Sequence, residues 1–590
     1  MTKLQFRVLY REFLFRMVDR EVLSAHEGDA NRLLGRFATI LILLSLPFTI
    51  LVLSIENGHM PREAVLISAW GMEHSLIATT MLVVGLFAVL SWDSTFPDRR
   101  DVLVLAPLPV RASTMFLAKV ASLAVALSLA VITFNAGPGL TLPLALAPPS
   151  FSGLDMILMP DFYRTLVVYW ITMFAAGAFV LCCVLAVQGL AAQLPRRLFL
   201  RLSAILQIAT FCLFVGVYFL QPSLASAEAL TAPENERLLV WLPSYWFLGL
   251  FQELNGSLNE TARPTLVALA GHAWIGLGLV IAGAGLAFLF SYFRTLRKIV
   301  EQPDIVAGSR QLTWLPRFGT RIETAVTQFS IRTLLRSRQH RVLLSFYVGI
   351  GFAMIILFLK TPLAQKLSAA TAGDPWHRVS LPLLASSFVM TCFWVLGIRV
   401  VFAIPLELRA NWIFRFTQIR EASEYFSASR RAMYVLALAP VWATSAVLFL
   451  SLWPWRPAVR HLAVLACVGV ILTEVCVHGF HKIPFTCSYL PGKSNLHITF
   501  LLCLMLGLNL TYWSAEFERR ALSDLRKYSC MLAILCFAAI CVWWRASCAR
   551  SDELEVKFEE ELSPVIAGLG LHRDGILPVQ PSPPKWTPKP

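Results

Sequence analysis

Residues 165–220 decide the fold: TLVVYWITMFAAGAFVLCCVLAVQGL (165–190), then AAQLPRRLFLR (191–201), then LSAILQIATFCLFVGVYFL (202–220). The flanking runs carry no charged residue. A helix crosses a bilayer with roughly 20 apolar residues, and each run is long enough. In lipid the backbone must satisfy its own N–H and C=O groups, which a helix does. The short Leu194-Pro195-Arg196-Arg197 corner then reads as a basic turn between two spans.

The rest of the chain follows the same pattern. Its 590 residues are 57% hydrophobic and 15% charged, with a mean hydropathy of +0.65. A soluble domain is nearer half apolar and about a quarter charged, and a disordered chain would be far less hydrophobic. Uncharged runs place spans near 37–55, 75–92, 117–136, 165–190, 202–220, 266–292, 342–359, 381–403, 432–452, 461–480, 497–513 and 528–544. The expected fold class is therefore all-α, a polytopic membrane protein of about 12 spans in the lipid bilayer. The uncharged stretch from Val120 to Leu154 exceeds one span, and its prolines predict a re-entrant or interfacial piece.

The net charge is +15. With both termini on one side, 37 of the 51 Lys and Arg residues fall on that side and 13 on the other. This bias is the positive-inside pattern, with N and C termini cytoplasmic, and it points away from nucleic acid as a partner. Most of the twelve cysteines lie within apolar runs, where they read as small packing residues.

Shifting the chain by 310 residues superposes two features of its halves, 1–300 and 301–550: the span at 37–55 falls on the span starting near residue 347. The stretch FPDRRDVLVLAPLPVRASTMFLAK (96–119) then falls on IPLELRANWIFRFTQIREASEYFSAS (404–429), with Ala118 on Ala428. Each half reads as a basic amphipathic segment (1–36, 321–341), two spans, a polar loop (93–116, 404–431), and four more spans. Two parallel six-helix pseudo-repeats make a pseudo-dimer within one chain. In 4–23, Leu4, Val8, Phe15 and Val22 share one helical face and Phe6, Tyr10, Phe13 and Met17 another, as an interfacial helix between lipid and bundle requires.

Catalytic motifs are not legible. Gly492-Lys493-Ser494 has Cys487 where a phosphate loop needs glycine. Cys476, His478, His481 and Cys487 cluster, but not at zinc-site spacing. No cofactor is expected in this chain, and no metal. Ionisable residues within spans are the default functional candidates, and Glu474 and Arg399 are the clearest. The two polar loops mix charge with large apolar residues, as a docking surface does. Their candidate contacts are Asp98, Arg99, Arg100, Asp101, Pro107, Pro109 and Arg111 in the first, and Glu407, Arg409, Asn411, Trp412, Arg420 and Glu421 in the second.

At these residues a resemblance enters. PDRRDVLVLAPLPVRASTMFLAK resembles the cytoplasmic loop of ATP-binding-cassette exporter permeases of the second type, with a Leu-Pro-Val element ahead of the third span. LPSYWFLGLFQEL (242–254) is similar to the segment before their sixth span, and KIPFTCSYLPGK (482–493) and PLELRANWIFR (405–415) resemble a less characterised bacterial branch. The second half departs from the pattern: TQIREASEYFS lacks Leu-Pro-Val, and no Trp-Phe-Leu-Gly-Leu precedes the twelfth span. The resemblance implies a bacterial inner-membrane permease coupled through its loops to a separate ATP-binding-cassette ATPase subunit, which would hold the ATP. The alternatives are an ion-coupled carrier using Glu474, and an integral-membrane enzyme on lipid-linked substrates. The tail 551–590 is Pro-rich and reads as a solvated cytoplasmic extension.

Overall fold

The computed structural model describes residues 3–18, 30–56, 62–96, 102, 105, 107, 108, 110–146, 160–222, 224, 226–256, 260–301, 320–360, 379–406, 422–478, 483–486, 510–522 and 524–548. Among them there is no β-strand. The first half contains α1 (Lys3–Val18), α2 (Ala30–Glu56), α3 (Arg62–Leu90), α4 (Ala112–Asn135), α5 (Pro160–Gln193), α6 (Arg196–Leu220), α7 (Pro243–Asn255) and α8 (Arg263–Glu301). The second contains α9 (Arg321–Arg336), α10 (Arg338–Lys360), α11 (Leu381–Phe402), α12 (Ala422–Met433), α13 (Ala439–Leu452), α14 (Trp455–Val477), α15 (510–522) and α16 (Leu525–Cys548). Among the described residues, 10 helical stretches are long and apolar enough to cross a membrane, and Phe37–Leu53 within α2 is a shorter one. The protein is thus an all-α, multi-pass membrane protein. The expected span at 497–513 lies outside the described residues except for its last turn.

Local chemistry sets the boundaries. At about 1.5 Å per residue the 34-residue α5 is about 51 Å long and overreaches a ~30 Å hydrocarbon core. It stops where Pro195 can neither donate to the preceding turn nor let Leu194 stay helical, and Pro195 then opens α6. Pro243 opens α7, and Gly256, at φ +69°, closes it in the left-handed conformation that glycine adopts without strain. Thr320 and Glu323 form a reciprocal capping box on α9. The predicted interfacial piece after α4 is a short helix, Pro138–Leu146.

The two halves share a plan. The second span of each is its centre: 72% of the apolar stretch is buried in both α3 and α11, against 11% in α16. In each half this helix packs on the fourth span (α3 on α5, α11 on α14). The amphipathic helix of each half packs on the start of its third span, α1 on α4 and α9 on α12. Ala118 and Ala428, 310 residues apart, are both fully buried. The halves meet along α6 and α10, where Phe211 stacks edge-on to Phe346 with ring centroids 4.2 Å apart.

The end of the second polar loop differs from the sequence reading. Residues 422–431, expected as loop, are the first turns of the third span of the second half. They are polar because α12 begins against α9, and they continue through a π turn, Tyr434–Leu438, into α13.

Candidate functional site

Chain alternation puts the α1–α4 contact, the α9–α12 contact and the starts of α6 and α10 at one end of the bundle. There the first half forms a tight unit. Lys119, on α4, is 3% exposed. Its Nζ donates to the Ser94 carbonyl in the turn after α3, and it sits 4.7 Å from the centroid of the Phe13 ring on α1. Leu9, Phe13, Met115 and Ala118 close the contact. The face of α1 that holds Tyr10, Phe13 and Met17 therefore meets the bundle, while Leu4 and Val8 on its other face are exposed. The helix, the loop stem and the third span are mechanically one piece.

The second half repeats this with different chemistry. Glu323 of α9 pairs with Arg431 of α12 and accepts from Ser427 Oγ at 3.2 Å. Burial alone would raise the Glu323 carboxyl. The Thr320 backbone N–H and the Arg431 guanidinium outweigh it and hold the group below the usual carboxylate range. Arg338 of α10 bridges the halves, reaching Asp93 at 2.8 Å and Gln207 of α6 at 3.1 Å. Phe485 is clamped at this end too. Its N–H donates to Phe402 O at 3.0 Å, and its own carbonyl accepts from Leu406 N–H at 3.0 Å. It does so at φ +66°, a left-handed conformation that is strained for phenylalanine.

Of the proposed loop contacts, Pro107 and Arg111 are exposed at this end, and Arg111 directly precedes α4. Asp98, Arg99, Arg100, Asp101, Pro109, Glu407, Arg409, Asn411, Trp412, Arg420 and Glu421 lie outside the described residues. Glu474 is buried at the end of α14. Its carboxylate accepts from Tyr434 Oη at 2.5 Å and lies 3.5 Å from Arg430 Nη1. Tyr434 starts the π turn, and Trp394 Nε1 donates to Leu436 O within that turn at 2.9 Å. Arg399 Nε donates to the Cys476 carbonyl at 2.7 Å. His481 and Cys487 lie outside the described residues, and no group of three metal-binding side chains occurs among the described ones.

The opposite end holds buried polar clusters that the sequence reading missed. In the first half, Glu73 of α3 accepts from Gln252 of α7, and His74 Nε2 lies 3.0 Å from Ser244 Oγ of α7. In the second, His461 of α14 joins Ser387 of α11 (2.9 Å) to Glu518 of α15 (2.9 Å). Both clusters bind the central span to the helix that precedes the last one. The atom order Ser–His–Glu is that of a hydrolase triad, but the geometry is not. Ser387 is the seventh residue of α11, past the first four N–H groups that a helix leaves free. Its neighbouring amides are thus spent within the helix and cannot form an oxyanion hole.

Compared with family models, curated proteins and solved structures, the chain matches none.

Proposed function

We propose that the chain is the membrane-spanning permease of an ATP-driven exporter, worked by a separate ATPase polypeptide that docks on the loops at the α1/α9 end. One observation carries this reading. In both halves an amphipathic helix is fastened to the start of the third span, directly behind the polar loop that joins spans two and three. In the first half Lys119 ties loop stem, helix and span together. A push on the loop would then move α4 and α1 as a unit, and Arg338 would pass it to the second half through Asp93. The resemblance of residues 96–119 to exporter permeases supports the same reading. On this reading the protein sits in a bacterial inner membrane with this end cytoplasmic. The two similar halves supply the pair of permease units such a machine needs.

The ion-coupled alternative through Glu474 has weaker support, because Tyr434 and Arg430 already engage that carboxylate. Photo-cross-linking tests the docking site. A photoreactive residue at Leu108 or Arg111, both exposed, should yield a discrete adduct with an ATPase chain in cells. The same probe at exposed Trp241, at the other end, should not. Equal adducts from both positions, or none from the loop, would remove the docking surface.

A further inference from the structure

The Ser387–His461–Glu518 chain is the most completely buried ionisable cluster that the proposed function leaves unused: His461 is 0% exposed, Glu518 1% and Ser387 5%. Aromatic rings wall it, with Phe449 4.8 Å and Trp453 5.9 Å from the imidazole, centroid to centroid. Its hydrogens can be followed. The Ser387 hydroxyl is 2.8 Å from Leu384 O and 2.9 Å from His461 Nε2. When it donates to Leu384 O, Nε2 must carry the hydrogen of the second bond. The 2.9 Å contact between Nδ1 and Glu518 Oε1 then also needs a proton, on one atom or the other. That state, imidazolium with carboxylate or imidazole with carboxylic acid, is neutral overall. When the proton leaves, Nδ1 keeps its hydrogen, Ser387 must turn to donate to Nε2, and a net negative charge stays behind. Among the described residues Glu518 Oε2 has no hydrogen-bond partner to stabilise that charge, and burying it among rings is costly.

We propose that this chain is a proton-binding site that reads the pH at the end of the bundle opposite the loops, and that its proton clamps α15 onto α11 and α14. The surroundings single it out. Arg456 and Arg460 share α14 with His461, and Arg460 Nη1 donates to Leu522 O at 3.3 Å. Glu516 on α15 is held below the carboxylate range by Arg519 and, with it, Arg520. Tyr528 on α16 donates its hydroxyl to Arg460 O at 3.0 Å. Around this site α11 and α13 offer Ser387 and aromatic rings. So the His461–Glu518 pair is the element of this corner whose hydrogen-bond chain has two proton arrangements. Burial pushes the Glu518 carboxyl above its ordinary range, and its bond to His461 offsets part of that. A raised folded value means the clamp is fully formed below the ordinary glutamate range. It is lost as pH rises through the folded value.

The test uses the full chain in lipid nanodiscs. Hydrogen exchange of residues 510–522, corrected for intrinsic rate, should speed up about ten-fold as pH rises through the titration of the pair. Infrared difference spectra should show carboxylate or imidazole protonation over the same range. Glu518→Gln should abolish both changes. His461→Asn, which keeps a neutral hydrogen-bonding group near the Nδ1 position, should do the same and serves if the first variant folds poorly. Exchange in 510–522 that does not change with pH, or that changes equally in both variants, would overturn the proposal.

Discussion

Replacing Lys119 by methionine tests the unit formed by α1, the loop stem and α4. The substitution keeps the stem, which packs among Phe13 and Met115, and removes the ammonium. A hydrogen bond from a charged donor is worth about 1.5–3 kcal/mol, and a desolvated cation over a ring adds about 0.5–2 kcal/mol. Relief from holding a cation out of water offsets part of this loss, leaving a net cost of about 2 kcal/mol. At 1.4 kcal/mol per factor of ten, α1 should open roughly thirty-fold more often. Hydrogen exchange of Lys3–Val18 in nanodiscs reads this directly, because exchange in a locally opening segment follows its opening equilibrium. Lys119→Met should raise exchange in α1 by about that factor and leave α7, at the other end, unchanged. Unaltered α1 protection in a folded variant would refute the reasoning, and so would a uniform rise across the whole chain.

Three further outcomes follow from the packing. At Gly249 a Cβ would meet Leu266 O at 2.6 Å, Leu269 Cβ at 2.8 Å and Ala270 N at 3.0 Å. Since backbone cannot yield, Gly249→Val should cost about 2–3 kcal/mol and lower the thermal midpoint in detergent; a wild-type midpoint would contradict the α7–α8 packing. Cys467 and Cys536 place their sulfurs 3.5 Å apart across α14 and α16. A copper–phenanthroline oxidant should take two electrons and two protons from the pair and form a disulfide, seen by mass spectrometry of the α14 and α16 peptides. The Cys536→Ser variant should not form it, and uncrosslinked wild type would contradict this helix pairing. Glu323 has a depressed folded value, so its stabilisation is present above the ordinary glutamate range and is lost as pH falls through the folded value. Because Arg431 is 46% exposed, Glu323→Gln should cost only about 0.5 kcal/mol at neutral pH and flatten the acid limb of the stability profile.

Most of the architecture was legible because hydropathy is a property of consecutive residues. The face pattern of 4–23 foretold that one side of α1 meets the bundle and the other does not, and Pro138–Leu146 lies where the excess length after Val120 required a further piece. The hidden features depend on partners far away in the chain. Glu73 falls just outside the span placed at 75–92 and its amide partner Gln252 is 179 residues on, and the ligands of His461 come from two other helices, 74 and 57 residues away. Glu474 reads in sequence as a lone acid, and only folding brings Tyr434 and Arg430 to it. The start of α12 looked like loop because its polar residues face α9 and Glu323, a tertiary override of composition. The helix before the last span shows the limit of motif reading. α15 stands before α16 as α7 stands before α8, yet its Tyr512-Trp513 is followed by Ser-Ala-Glu-Phe where Tyr245-Trp246 is followed by Phe-Leu-Gly-Leu.

The central claim is that a separate ATPase drives this chain through its loops. The most direct measurement is a mild-detergent pull-down of the tagged protein from its native host, with co-purifying chains identified by mass spectrometry. The account predicts a stoichiometric ATP-binding-cassette ATPase that is lost on Arg99→Glu with Arg100→Glu and retained in Glu474→Gln. Repeated recovery of abundant, folded protein without any ATPase would contradict it.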